Sequence, residues 1–167
     1  KACREQVRAL LEGYTIMDAL SDFSYYQQGV CPNPVVATNH VTPFLEHKVE
    51  NLWVYYCVSQ NYQVSNRFMA MPSARTRIIG TQFYKYRIAG FLHWGFNFHN
   101  SQYSLKHINP FAVTDADGAF PAGDPFAVYP GEDGEAWDSI RLQVFYDAIC
   151  DLRAFELLES LAGREFV

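Results

Sequence analysis

Residues 34–40 read PVVATNH, four apolar residues that run straight into an amide and an imidazole, Asn39 and His40. The run is too short for a helical face and shows no period-two alternation. It therefore reads as a strand buried on both faces, with chemistry at its carboxyl end. The same arrangement recurs along the chain. YTIMD (Tyr14–Asp18) ends in an acid, LWVYYC (Leu52–Cys57) in two tyrosines and a thiol, and GFLHW (Gly90–Trp94) in His93 and Trp94.

Helical signals separate these strands. Ala2 to Leu11 carries apolar residues at helical spacing and stops at Gly13. ALSDFSYYQQG reads as a short helix or turn closed by Gly29, and TPFLEHKVEN as a short helix with Pro43 in its first turn. VSQNYQVSN is a polar loop, and Arg67 to Arg87 is helical, with Pro72 and Gly80 expected to bend or interrupt it. Gly95 to Ala136 holds most of the glycines and prolines and reads as irregular. A final amphipathic helix spans Asp138 to Ala162, capped by Asp138 or Ser139 and ended by Gly163.

Alternating strands and helices with doubly buried strands predict an α/β fold with a parallel sheet of four βα units. Such a set is half of a (β/α)8 TIM-type barrel or most of a small doubly wound sheet. The strand ends favour the barrel, whose functional groups gather at the carboxyl ends of several strands. A doubly wound fold would show a glycine-rich phosphate turn after its first strand, and DALSDFS is not one.

Composition narrows the function. The 167 residues amount to about one domain. No apolar run approaches the roughly 20 residues that span a bilayer, so a membrane partner is not expected. The net charge of −5 argues against nucleic acid, whose phosphates call for clustered Lys and Arg. Cys3, Cys31, Cys57 and Cys150 form no CxxC pair, so the thiols are expected to be free. TDADGAFPAGD starts as a calcium loop does but lacks the later ligands, and His93, His99 and His107 have no HExxH spacing. Neither a metal nor a cofactor is expected. The opening KACREQVRALLEGY reads as the middle of a helix, which predicts a fragment or a processed chain.

Aromatic residues make up 16% of the chain, most of which a core would use, yet FLHWGFNFHNSQYS (Phe91–Ser104) mixes rings with side-chain amides. That mixture suits a flat, polar ligand. Four blocks then resemble one family in its own order: MDALSDFSYYQQG, PVVATNHVTPFLE, the stretch from LWVYYC to FNFHNSQYS, and INPFAVTDADGAFPAGDPFAVYPG. The family is glycoside hydrolase family 123, the β-N-acetylgalactosaminidases and their bacterial relatives.

The resemblance implies that residues 1–167 are one unit, the carboxy-terminal half of a glycosidase barrel. Its implied activity is removal of terminal β-linked N-acetylhexosamine by a substrate-assisted retaining mechanism, in which an Asp-Glu pair does the acid–base work. That pair belongs to an earlier strand of the family's barrel. No Asp-Glu dipeptide occurs here, and Glu132-Asp133 reads as a solvated turn, so no catalytic residue is assigned.

What this half is expected to supply is sugar binding. Trp94 is the stacking platform, and Asn97, Asn100 and Tyr103 follow it in one loop. Asp18, Asn39 and His40 end their strands, and Asn66-Arg67 starts a helix toward the site. Tyr55 and Tyr56 face opposite ways, and Tyr56 is chosen as the nearer to the carboxyl end. The expected partners are a carbohydrate substrate and an amino-terminal half-barrel or second copy. A non-catalytic carbohydrate-binding or structural relative is the alternative, and a free-standing doubly wound domain with a small-molecule site is a third reading.

Overall fold

A computed structural model of the chain describes residue 7 and residues 10–167. The helix expected over Ala2–Leu11 lies mostly outside the described residues, as does Cys3; Val7 and Leu10 are helical, and a turn leads to Gly13. The strands are β1 (Asp18–Ala19), β2 (Pro34–Ala37), β3 (Trp53–Tyr56) and β4 (Gly90–His93). The helices are α1 (Phe23–Gln27), α2 (Thr42–Glu46), α3 (Ser73–Tyr86) and α4 (Ile140–Ala162). The strands form one sheet in the order β1-β2-β3-β4, every pair parallel. Strand order thus follows chain order without the reversal that defines a doubly wound sheet.

Helix placement agrees with that order. The register aligns Val36 with Val54, Val54 with Phe91, and Tyr56 with His93. These residues share one face, against which α1, α2, α3 and α4 pack. Phe44, Leu45, Phe23 and Tyr26 cover Val36, while Ile79, Phe83, Ala148, Phe145 and Ile149 cover Val54, Tyr56 and Phe91. The opposite row aligns Val35 with Trp53, and Tyr55 with Leu92. On that face Trp53 and Tyr55 are half-buried and Leu92 is 46% exposed. A parallel sheet with helices packed on one face and the other face open is consistent with half a barrel.

Local chemistry sets the element ends. Asp22 caps α1 by accepting from the Ser24 amide at 2.9 Å, and Ser139 caps α4 by accepting from Leu142 at 3.2 Å. Asp138 instead closes an antiparallel hairpin, β5 (Val128–Pro130) with β6 (Ala136–Asp138), inside the segment expected to be irregular. β1 is shorter than YTIMD predicts, because only Asp18 and Ala19 pair with β2. α3 starts at Ser73 rather than Arg67, since Pro72 is extended at ψ 139° and the preceding residues form a buried loop.

Gly80 does not interrupt α3. It lies where α3 crosses α4, and a Cβ there would penetrate the backbone carbonyl of Ala148. Glycine inside a helix costs about 1 kcal/mol relative to alanine, and here the close crossing is what the missing side chain permits. Arg77 and Asp151 pair across the same interface at 2.7 and 2.9 Å, an exposed contact of small energetic weight. Gly80→Ala is therefore expected to destabilise despite its better helix propensity, by about 1–3 kcal/mol of overpacking. A thermal melt of the protein checks this; a raised midpoint would show that the crossing relaxes freely.

Candidate functional site

The carboxyl ends of β2, β3 and β4 are joined by a polar network with a buried arginine at its centre. Its outer link starts just after β3. The Cys57 amide donates to Gln60 Oε1 at 2.8 Å, and Gln60 Nε2 donates to Asn39 Oδ1 at 2.8 Å, tying the β3 loop to the end of β2. Asn66 sits inside that loop with no exposed surface. Its amide donates to the carbonyls of Cys57 at 2.9 Å and Gln60 at 2.7 Å, and its oxygen accepts from the Arg67 amide at 2.8 Å. Thr76 of α3 donates to the Asn66 carbonyl at 3.0 Å, which fixes the loop to the helix. Such a loop satisfies its backbone through side-chain amides because no strand or helix pairs it.

Arg67 is 2% exposed. Its Nη2 donates to the carbonyls of Trp94, Gly95 (3.4 Å) and Asp124 (2.5 Å), and its guanidinium lies over the Tyr56 ring at 5.1 Å. One cation thus ties the β3 loop to the end of β4 and to the chain at Asp124. Gly95 makes this possible: its φ is +63°, and a Cβ would run into the Asp124 carbonyl and lie 2.9 Å from Arg67 Nη2. Beyond it, residues 96–98 run antiparallel to 125–128, with Phe98 donating to Pro125 at 3.0 Å and Ala127 to Phe96 at 2.9 Å.

Asp124 has no exposed surface; its Oδ2 accepts from Trp94 Nε1 at 2.7 Å, and its Oδ1 lies 3.9 Å from Arg67 Nη1. Burial raises its pKa, against the pull of the indole hydrogen bond and of Arg67. Burial likewise lowers that of Arg67. On the helix-facing side, burial pushes the Tyr56 hydroxyl up to about 12 and His93 down to about 3, the latter helped by Arg67. His93 is enclosed by the rings of Tyr56, Phe91, Phe96 and Phe145.

The expected site residues divide into four groups. Asn39, Asn66, Arg67 and Trp94 belong to the network, with Asn66 and Arg67 buried beneath the surface instead of opening a helix toward it. Trp94 directly follows β4 and is half-buried against Phe98 and Phe120. His40, Asn97 and Tyr103 are exposed, Tyr103 at 82% with a φ of +59°, and Asn100 is half-buried where its backbone bridges His107. Asp18 is half-buried on β1. Tyr56 corrects the choice between the two tyrosines: it is fully buried against Ile79 and Phe83, and Tyr55 occupies the open face.

Sequence reasoning missed Gln60, Gly95 and Asp124. The signal for Asp124 was a lone acid between Gly123 and Pro125, which reads as a turn until its partner 30 residues upstream is known. Glu132 and Asp133 lie in an exposed 3₁₀ turn between β5 and β6. Among the described residues, no three His, Cys, Asp or Glu side chains are grouped as metal ligands would be. The arrangement can present a rigidly held indole and flanking amides to a ligand.

Two outcomes follow. Arg67→Met should lose about 3–5 kcal/mol, because the carbonyls of Trp94, Gly95 and Asp124 lose their donor and Asp124 stays buried without a positive charge beside it; equilibrium unfolding in urea measures it. For His93 the folded-state pKa lies below the ordinary 6.5, so its contribution is present above pH 6.5 and is lost as pH falls toward about 3. The urea midpoint of the protein should therefore drop more steeply between pH 6.5 and 4 than that of His93→Phe; parallel pH profiles would contradict the burial of a neutral imidazole.

Comparison with known proteins accords with this geometry. The model of the glycoside hydrolase 123 catalytic domain matches residues 1–158. A search of curated proteins finds no match. Among solved structures, the chain is similar to a family 123 glycoside hydrolase from Clostridium perfringens, described for glycolipid glycan hydrolysis, with a TM-score of 0.70 at 18% identity. The similarity covers 96% of this chain and 29% of that one, so this chain spans under a third of that protein's length. At that identity the likeness shows a common fold, and the family match carries the assignment: the chain belongs to the glycoside hydrolase 123 catalytic-domain family.

Proposed function

We propose that this chain is the carboxy-terminal half of a (β/α)8 barrel in a glycoside hydrolase that removes terminal β-linked N-acetylhexosamine, with N-acetylgalactosamine as the preferred sugar. The observation that carries this reading is Trp94, half-buried directly after the carboxyl end of β4, with its N–H bonded to Asp124. Pyranoses stack an apolar CH face on such a ring and offer their hydroxyls to side-chain amides. Asn97, Asn100 and Tyr103 lie on the excursion that follows, and His40 and Asn39 on the neighbouring strand end. Tyr55, on the open face, takes the pocket role that its neighbour Tyr56 is too buried to fill.

The chemistry of the reading is substrate-assisted. The 2-acetamido oxygen attacks the anomeric carbon, the leaving oxygen takes a proton from an acid, and water then opens the oxazolinium with retention. The acid–base pair is an Asp-Glu on an amino-terminal strand outside this chain. The residues here bind and orient the sugar, and hold its ring against Trp94 while the acetamido group swings into line.

Asp124, the acid nearest Trp94, is sealed from solvent, and no Asp-Glu dipeptide occurs in the chain. These two facts favour a second reading, a carbohydrate-binding relative without turnover. The full-length protein separates the two with aryl N-acetyl-β-galactosaminide and N-acetyl-β-glucosaminide as substrates. Release of the chromophore, faster from the galactosaminide, is the expected result. Binding of N-acetylgalactosamine with no release from either substrate would establish the second reading.

The same reading makes a physical demand on residues 1–167 alone. Half a barrel leaves parallel strand edges unpaired and exposes an apolar face carrying Trp53, Tyr55 and Leu92. Expressed alone, the chain should aggregate, self-associate, or require an amino-terminal half-barrel added in trans. Sedimentation velocity measures this directly: a monodisperse monomer with a cooperative melt contradicts the half-barrel.

A further inference from the structure

We propose that Asp124 is a positioning residue: its carboxylate, bonded to the Trp94 indole N–H within the Arg67 clamp, sets the angle of the ring that receives the sugar. This rests on the reading of Trp94 as the sugar platform. It adds a device that neither the family match nor the structural neighbour assigns.

The geometry of the pair points to orientation over stability. Arg67 directs Nη2 to the backbone carbonyls of Trp94, Gly95 and Asp124, and its Nη1 stays 3.9 Å from Asp124 Oδ1, outside hydrogen-bond range. That oxygen has no hydrogen-bond partner among the described residues, although no part of Asp124 is exposed. The one short contact the carboxylate makes is the 2.7 Å bond from Trp94 Nε1. Buried ion pairs that serve stability alone can be replaced by apolar residues at little cost. Here the carboxyl group's one hydrogen bond goes to an indole.

An indole without that bond has several rotamers open to it, and its terminal torsion is broad. The rings around Trp94 narrow this range but leave it open: Phe98 is tilted at 41° and 5.5 Å, and Phe120 meets it edge-on at 6.0 Å. The hydrogen bond selects one orientation. The Arg67 bonds to the Trp94 and Asp124 carbonyls hold the two backbones at the spacing that bond requires. A platform fixed before the ligand arrives spares the cost of ordering it on binding.

The test is a double-mutant cycle in the full-length protein with Trp94→Phe, Asp124→Leu and both together, assayed on aryl N-acetyl-β-galactosaminide. Each single change should raise KM about tenfold, the worth of one hydrogen bond between ring and frame. The double variant should be no worse than the poorer single one. Asp124→Asn keeps an acceptor for the indole and should restore most of the loss. Additive penalties would overturn the proposal.

A second readout needs no turnover. In a background where every other tryptophan of the full-length protein, Trp53 and Trp137 included, is replaced by Phe, Asp124→Leu should at least double the acrylamide quenching of Trp94 while Asp124→Asn leaves it unchanged. Unchanged quenching in Asp124→Leu would refute the proposal even in an active enzyme. If Asp124→Leu does not fold, Asp124→Ser, too short to reach the indole, takes its place. If no substrate is hydrolysed, the functional reading fails, and the quenching result still decides the role of Asp124.

Discussion

The Arg67 guanidinium binds three backbone carbonyls from two separate segments, and the carboxyl end of the sheet is organised around that act. Its partners Trp94, Gly95 and Asp124 lie 27 to 57 residues away in the chain. Without a multidentate cation, the carbonyls at the end of β4 and at the Asp124 turn would be buried with nothing to accept from, a cost of roughly 1–3 kcal/mol each. Lysine could neutralise the charge but has no second nitrogen to donate to Asn66 Oδ1, as Arg67 Nη1 does at 3.4 Å. Asn66 plays the same part on the amino side, satisfying two carbonyls of the β3 loop and one amide of its own chain. Polar side chains here do the work that strand and helix ladders do elsewhere, which lets an irregular loop be buried at all.

That network rests on a sheet whose two faces have different fates. The helix-facing row of Val36, Val54, Tyr56, Phe91 and His93 is sealed by aliphatic and aromatic side chains from α1, α2, α3 and α4. Burying side chains of this kind is worth about 1.5–3 kcal/mol each. The close α3–α4 crossing at Gly80 draws both long helices onto that row. The opposite row holds Trp53, Tyr55 and Leu92, too apolar for a surface meant to face water, and Trp53 lies so close over Gly90 that any side chain there would collide with it. Trp94 directly follows β4, so the proposed platform lies where the sheet gives way to the polar network.

On the proposed reading, the division separates binding from cutting. The acid in the network, Asp124, is committed to Trp94 and Arg67 and shielded from solvent. The exposed acids Glu132 and Asp133 sit on the tip of the β5–β6 hairpin. Proton transfer to a leaving group needs a carboxyl that can approach the substrate, and the sealed Asp124 cannot. Binding groups on one set of strands and acid–base groups on another is an arrangement that a barrel permits, because all its strand ends converge on a single mouth.

Most of the architecture was legible from residues 1–167 as written. The βα alternation, α2 with its first-turn proline, and the long terminal helix with Ser139 at its start and Gly163 beyond its end are all local patterns. Periodicity, caps and breakers act over a few residues, so a linear reading captures them. What the linear reading could not decide was which way things face and what meets across distance. One residue of register placed Tyr55 on the open face and Tyr56 in the core. Asn66 and Arg67 were expected at a helix start and are a buried clamp instead, because Pro72 delays α3 to Ser73 and leaves the loop to be satisfied by side chains. Asp124 and β5–β6 lay unassigned in the segment read as irregular, because their partners lie far along the chain or depend on the packing of the whole excursion. The sequence by itself determined the elements and their order, since those follow from local sterics and hydrophobic spacing. Only the tertiary structure decided the site, since its charges are held by contacts that no short stretch of chain contains.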